Sequence, residues 1–184
     1  LDPILVSDDL SEHGQVHGFP IVGLEEVPSD CPVVVAIADG SARRRVVARV
    51  EQRQLAFSNL IAPTAAYVGP AVMDEGGIIG DFTVLSDVRI GRHFQINVSS
   101  YVGHDCVIGD FVTLAPRVSV NGNVVIEDDV YIGTGAIIRN GTTERPITIG
   151  RGAFIAMGAL VSKDVAPGAR VMPRWPRPTS SPHP

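Results

Sequence analysis

A histidine followed at once by an aspartate, His104–Asp105 within "VGHDCVIG", is the pair in this chain best suited to chemistry. A carboxylate beside an imidazole fixes its tautomer and raises its basicity, which is what a general base requires. The neighbours Gly103, Cys106 and Val107 are small or apolar, so the ring has few competing surface roles. Eighteen residues further on, Gly122 in "VNGNV" offers a backbone N–H with no side chain in front of it. A base and an N–H donor held one strand spacing apart, ~4.8 Å, would suit acyl transfer. The plainer alternative is a solvated His–Asp pair on a turn. The choice rests on whether eighteen residues make one strand spacing.

The surrounding periodicity says that they do. Stepping by six from Val72 gives Ile78, Val84, Ile90, Ile96, Val102, Ile108, Leu114, Val120, Ile126, Ile132 and Ile138, all aliphatic. At 45% hydrophobic content, a fixed register would do this by chance about once in ten thousand. Glycine follows at Gly91, Gly103, Gly109 and Gly133, while Ser100, Cys106, Val112, Val118, Val124, Val130 and Ala136 stand two places before the beat. After Ile138 the beat lapses and returns at Ile149, Ile155 and Val161, so a loop around "NGTTERP" leaves the stack without breaking it.

A period of six excludes an α-helix and suits short strands joined by turns, one inward aliphatic per corner. Such units bury their apolar faces only by stacking. Three hexads per triangular coil put residues eighteen apart in register, His104 with Gly122. The expected stack runs from about residue 61 to 165, five to six coils. On this register His104 projects outward, whereas Cys106 points inward as core filler rather than as a nucleophile.

Composition agrees. An apolar fraction of 45% with only 5% aromatics implies a core of Val, Ile, Leu and Ala. A net charge of −5 argues against a nucleic-acid surface, which would carry a basic stripe. Cys31 and Cys106 form no metal or redox spacing; one disulfide is open to them, and a reducing compartment is the simpler reading. No apolar run reaches the ~20 residues of a membrane span, and the opening "LDPILVSDDL" lacks signal-peptide features. The expectation is a soluble cytoplasmic protein with neither nucleic-acid nor membrane partner. Residues 1–60 alternate short strands ("PILVSDD", "GFPIVG", "CPVVVAIADG") with a helix-like "SARRRVVARVEQRQL", as a small α/β unit would. Residues 61–172 hold the repeats, and 173–184 form a Pro-rich tail.

The stretch "NVSSYVGHDCVIGDFVTLAP", followed by "NGNVVIEDDVYIGTGAII", resembles hexapeptide-repeat sugar acetyltransferases of the sialic-acid O-acetyltransferase type. That group includes the nucleotide-sugar N-acetyltransferases that complete bacillosamine and perosamine. The resemblance covers nearly the whole chain, and "GHDCVIGDF" is its most discriminating piece. It implies a left-handed parallel β-helix behind a Rossmann-like N-terminal unit; the hand comes from the resemblance alone, since general connection rules favour the opposite. It further implies that His104 is the base, Asp105 its orienting acid, Gly122 the oxyanion N–H and Asn97 a sugar contact. Gly133, Thr134, Ala156 and Lys163 would line an acetyl-CoA groove between adjacent subunits of a homotrimer, and Asp8, Asp9 and Arg43 would touch the nucleotide. Three departures stand out. Ala38 and Asp39 replace a Gly and an Asn, "VMPRWPRP" replaces a "GVPA" turn beside the CoA, and the sequence starts at the family's second strand, without its Gly-rich phosphate loop.

The expected function is therefore an acetyl-CoA-dependent N-acetyltransferase acting on an amino sugar, nucleotide-linked, by direct attack and without a metal. An O-acetyltransferase would run the same chemistry on a hydroxyl. A zinc hydratase of the γ-carbonic anhydrase type would need three histidines, and the repeats hold only His93 and His104. A non-catalytic sugar-nucleotide-binding or scaffold protein is the remaining alternative.

Overall fold

Each hexad contributes a strand of two or three residues and a corner. The computed structural model describes residues 4–7 and 14–173. Asp8, Asp9 and the tail from residue 174 onward lie outside the described residues. From Leu60–Ile61 to Arg170–Val171 the strands stack into three parallel sheets of seven, six and five strands. Residues in register are eighteen apart through most of the stack, as in Gln95↔Thr113 and Tyr101↔Ser119. The corners share one backbone device. His93, Ser99, Asp105, Phe111, Arg117, Asn123 and Asp129 all have φ between 55° and 61°, a left-handed conformation costing roughly 1–2 kcal/mol per non-glycine residue. It is held because every coil hydrogen-bonds to the next, for example Gly103 N to Val120 O (2.8 Å) and Asn123 N to His104 O (2.9 Å).

The core is the aliphatic column the period implies. Ile90, Ile96, Val102, Ile108, Leu114, Val120, Ile126, Ile132, Ile138, Ile149, Ile155 and Val161 are buried. So are Ser100, Cys106, Val112, Val118, Val124, Val130 and Ala136. The first steps need correction. Val72 is 64% exposed, and Ile78 and Val84 are only half-buried; Ile79 and Leu85 are the buried ones. The cause is one short corner, "LSDVRI", which makes the step from Leu85 to Ile90 five residues instead of six. Across it the pairing drops to seventeen, as in Val84↔Tyr101. The loop expected after Ile138 is present: residues 142–146 leave the stack while Ile126 pairs with Ile149 and Ile138 with Val161.

Ahead of the solenoid, β1 (Leu5–Val6), β2 (Gly14–Val16) and β3 (Phe19–Val22) form a small sheet in the order β1-β3-β2. β1 runs parallel to β3 and β2 antiparallel. The "CPVVV" stretch makes a single bridge, Val33 to Phe57, rather than a strand. α1 (Gly40–Gln52) is capped by Asp39, whose Oδ1 accepts from Ala42 N at 2.7 Å; this cap is worth about 1 kcal/mol. Val47 and Val50 bury one face of α1 with Leu24, Val27, Val35, Leu55 and the solenoid corner residue Phe111. No helix among the described residues is long and apolar enough to cross a membrane.

Candidate active site

His104 stands on the edge where the six-stranded sheet turns into the five-stranded one, just after the strand Tyr101–Val102. Its side chain is 60% exposed, and Nδ1 lies 2.7 Å from Asp105 Oδ2. An ionised carboxylate only accepts, so Nδ1 carries the hydrogen and Nε2 is left with a free lone pair. The left-handed corner at Asp105 (φ 56°) turns its carboxylate back onto the preceding ring.

Gly122 lies one coil on, directly against the imidazole. A Cβ there would stand 2.6 Å from His104 Nε2 and 2.7 Å from Cε1, so only glycine leaves the ring where it is. Among the described residues no protein acceptor meets the Gly122 N–H, while its carbonyl accepts from Gly141 N at 3.0 Å. Gly103 keeps the approach to that N–H open: a Cβ on it would sit 2.8 Å from Gly122 N and 3.0 Å from the Tyr101 hydroxyl. A base with a free Nε2 beside an open N–H is the arrangement for deprotonating a nucleophile while holding a developing oxyanion. The expelled loop borders this edge, with Ile147 N on Asn123 O (3.2 Å) and Thr143 Oγ1 near Asn123 Oδ1 (3.4 Å). Lys163 is exposed on the same edge, after the strand Leu160–Val161.

The other expected residues lie elsewhere. Asn97 follows the strand Gln95–Ile96 and so stands on the opposite edge of the six-stranded sheet. It is exposed, with Oδ1 accepting from Val98 N at 2.7 Å. Gly133, Thr134 and Ala156 stack on that edge too, Gly133 N bonding to Ile155 O at 2.7 Å. Asn97 and Thr134 border a cleft of ≈ 270 Å³ between the seven-stranded sheet and Ala38, lined also by Gln95, Thr113 and Tyr131. His104, Asp105, Gly122 and Lys163 therefore lie along one edge of the six-stranded sheet, and Asn97, Gly133, Thr134 and Ala156 along the other.

Arg43 requires correction. Its side chain is fully buried. Nη2 donates to Phe111 O (2.7 Å) and Thr113 Oγ1 (3.1 Å), and Nη1 donates to Ile37 O (2.6 Å). Burial lowers its pKa to about 10. It clamps α1 to the solenoid and is not offered to a ligand. Burial likewise pushes the Cys106 thiol up to about 11, in keeping with a core side chain rather than a nucleophile. His93 is buried at a different corner between Phe57 (4.6 Å) and Phe111 (4.9 Å). Among the described residues no three His, Cys, Asp or Glu side chains converge to hold a metal ion. Sequence reasoning missed two neighbours of the site, Tyr101 and the role of Gly103. The available signal was a tyrosine at an outward strand position beside a corner glycine.

No family model matches the chain. It is 44% identical over 119 residues to the GDP-perosamine N-acetyltransferase of Escherichia coli O157:H7, covering 64% of this chain and 54% of that protein. The chain thus spans about half the length of this curated relative. WeeI from Acinetobacter baumannii AYE is 38% identical with a TM-score of 0.86, over 91% of this chain and 81% of WeeI. PerB from Caulobacter crescentus, solved with CoA and GDP-perosamine, is 25% identical with a TM-score of 0.75, over 84% and 76% of the two chains. With the parallel solenoid and the His104 edge, these likenesses mean that the chain belongs to the sugar N-acetyltransferase family.

Proposed function

We propose that this chain is an acetyl-CoA-dependent N-acetyltransferase whose acceptor is an amino sugar, carried on a nucleotide. The observation that carries the reading is the His104 edge: Nδ1 engaged by Asp105, Nε2 free, and an unpartnered Gly122 N–H kept open by Gly103. His104 Nε2 accepts the proton of the acceptor amine as its nitrogen bonds to the thioester carbon. The Gly122 N–H holds the oxygen on which charge gathers. When the carbon–sulfur bond breaks, CoA leaves as thiolate and the proton on Nε2 is returned to solvent or sulfur. Asp105 keeps the imidazole in the tautomer that can accept, as the carboxylate does in hydrolytic triads. The residues present fit such a donor, since Gly103 leaves the Gly122 N–H uncovered and the Lys163 ammonium is exposed on the same edge. The nucleotide-sugar class is supported by the names of the E. coli and C. crescentus relatives and by the CoA and GDP-perosamine bound to the latter.

The working form is a homotrimer with sites shared between neighbours. The outward positions of the six-stranded sheet are Ala66, Val84, Tyr101, Ser119, Ile137 and Leu160, mostly apolar. Three left-handed solenoids packing these sheets about one axis would bring the His104 edge of each against the Asn97 edge of the next. The setting that suits this chemistry is cytoplasmic assembly of a surface polysaccharide. Thiol release from acetyl-CoA, measured with a panel of amino sugars, sugar alcohols and GDP-perosamine, tests the reading. Acceptor-dependent release with an amine and not its hydroxyl analogue is expected. No release with any acceptor would sink it.

A further inference from the structure

We propose that the Tyr101 hydroxyl is a second donor to the oxyanion, acting beside the Gly122 N–H. The inference deepens the acetyl-transfer reading and rests on it. Tyr101 occupies an outward strand position between Val84 and Ser119 in the register of the six-stranded sheet. Both neighbours are too short to reach the corner, whereas the phenol bridges from the sheet to the mouth of the His104 site. The point a Gly103 Cβ would occupy lies 3.0 Å from the Tyr101 oxygen and 2.8 Å from Gly122 nitrogen. Both donors therefore border the bare side of Gly103, and only a glycine there leaves the two uncovered together. Among the described residues neither donor has a protein acceptor.

A half-buried phenol normally finds a hydrogen-bond partner. Here the partner the geometry favours is an oxygen that accepts from both groups at once. A thioester carbonyl becoming an alkoxide beside His104 is such an oxygen, and each bond strengthens as its negative charge grows. The step leaves the atom balance unchanged: the hydroxyl keeps its proton, and Nε2 of His104 remains the base.

Tyr101→Phe isolates the hydroxyl because the ring and its packing stay. Loss of one oxyanion donor lowers kcat by about 10²-fold, with KM for acetyl-CoA within about twofold and an unchanged melting temperature. Gly103→Ala instead crowds both donors with a methyl group, and in the double variant removal of the hydroxyl costs nothing more. A merely structural Tyr101 would move the melting temperature or both KM values rather than kcat alone. If Tyr101→Phe keeps wild-type kcat while His104→Ala is inactive, the inference is overturned and the reading of the site stands. If wild type and His104→Ala release thiol at the same rate, the reading fails and the inference falls with it.

Discussion

The solenoid carries two histidines at its corners, His93 and His104, in surroundings that could hardly differ more. His104 is 60% exposed, paired with Asp105 and facing a bare glycine. His93 is fully buried between Phe57 and Phe111, and neither ring nitrogen meets a hydrogen-bond partner. Each belongs to the corner motif, His93 at the left-handed position itself and His104 just before it. The offset alone does not decide the outcome, since the left-handed residues Ser99, Asp105 and Arg117 are exposed. The left-handed residue of His93's corner lies beneath α1 and its cluster, whereas the residue before a left-handed Asp105 points out with a carboxylate turned back onto it. The repeat supplies the corner, and the neighbours decide whether a histidine there stands exposed beside a carboxylate or packed between rings.

The sharpest way to break this contrast is to delete each ring. His104→Ala should lower kcat by roughly 10²–10⁴, as expected for losing a general base, while thermal stability stays within about a degree because no core cavity forms. Asp105→Asn should be milder, since the imidazole remains and only control of its tautomer is lost. Near-normal turnover in His104→Ala would mean that another group is the base.

A smaller loss is expected from Gly122→Ala, about tenfold in kcat, because the added methyl displaces the imidazole without removing it. The backbone at Gly122 is not left-handed, so the fold should tolerate the change. Unchanged kcat would mean that the ring's position against Gly122 is not the productive one. The shared-site arrangement is tested by mixing an inactive His104→Ala protein with an inactive Asn97→Ala protein. Random mixing leaves some interfaces with both native edges, so up to about a quarter of the wild-type activity should return. Proven subunit exchange with no recovery would count against sites built from two edges.

How far the sequence carried this picture depends on the residue. From Ile90 to Ile138 one column is aliphatic and the next position is often glycine, so counting by six found the core and put His104 against Gly122. Before Ile90 both members of Ile78–Ile79 and of Val84–Leu85 are aliphatic, so no count could detect the one-residue slip at "LSDVRI". Pairings across the loop, such as the stacked Tyr131 and Phe154 (5.3 Å), were hidden because they lie twenty-three residues apart rather than eighteen. Arg43 was misread because a motif gives the residue type and not its burial. Asn97 stands apart from His104 and Gly122 because seven residues along a six-residue repeat lead to the next edge.

The smallest expected effect concerns His93, and it is one of stability rather than rate. Burial depresses its pKa below the ordinary histidine value; Arg92 and Arg43 act the same way, and Glu75 and Glu51 oppose them. The folded chain thus keeps this ring neutral where the unfolded chain would protonate it. Stability from this group is complete above the unfolded value of about 6.5. It is lost as pH falls through that value, and the loss levels off below the depressed folded value, where both states carry the proton. His93→Phe removes the titration, and the corner accepts a phenylalanine, since Phe82 and Phe111 hold the same conformation at φ 55° and 58°. Between about pH 7.5 and 5, the wild-type melting temperature should therefore fall further than that of His93→Phe. Turnover at neutral pH should match in the two proteins. Parallel melting curves across that range would show that His93 already meets its proton in the folded state, and the contrast with His104 would then be one of position alone.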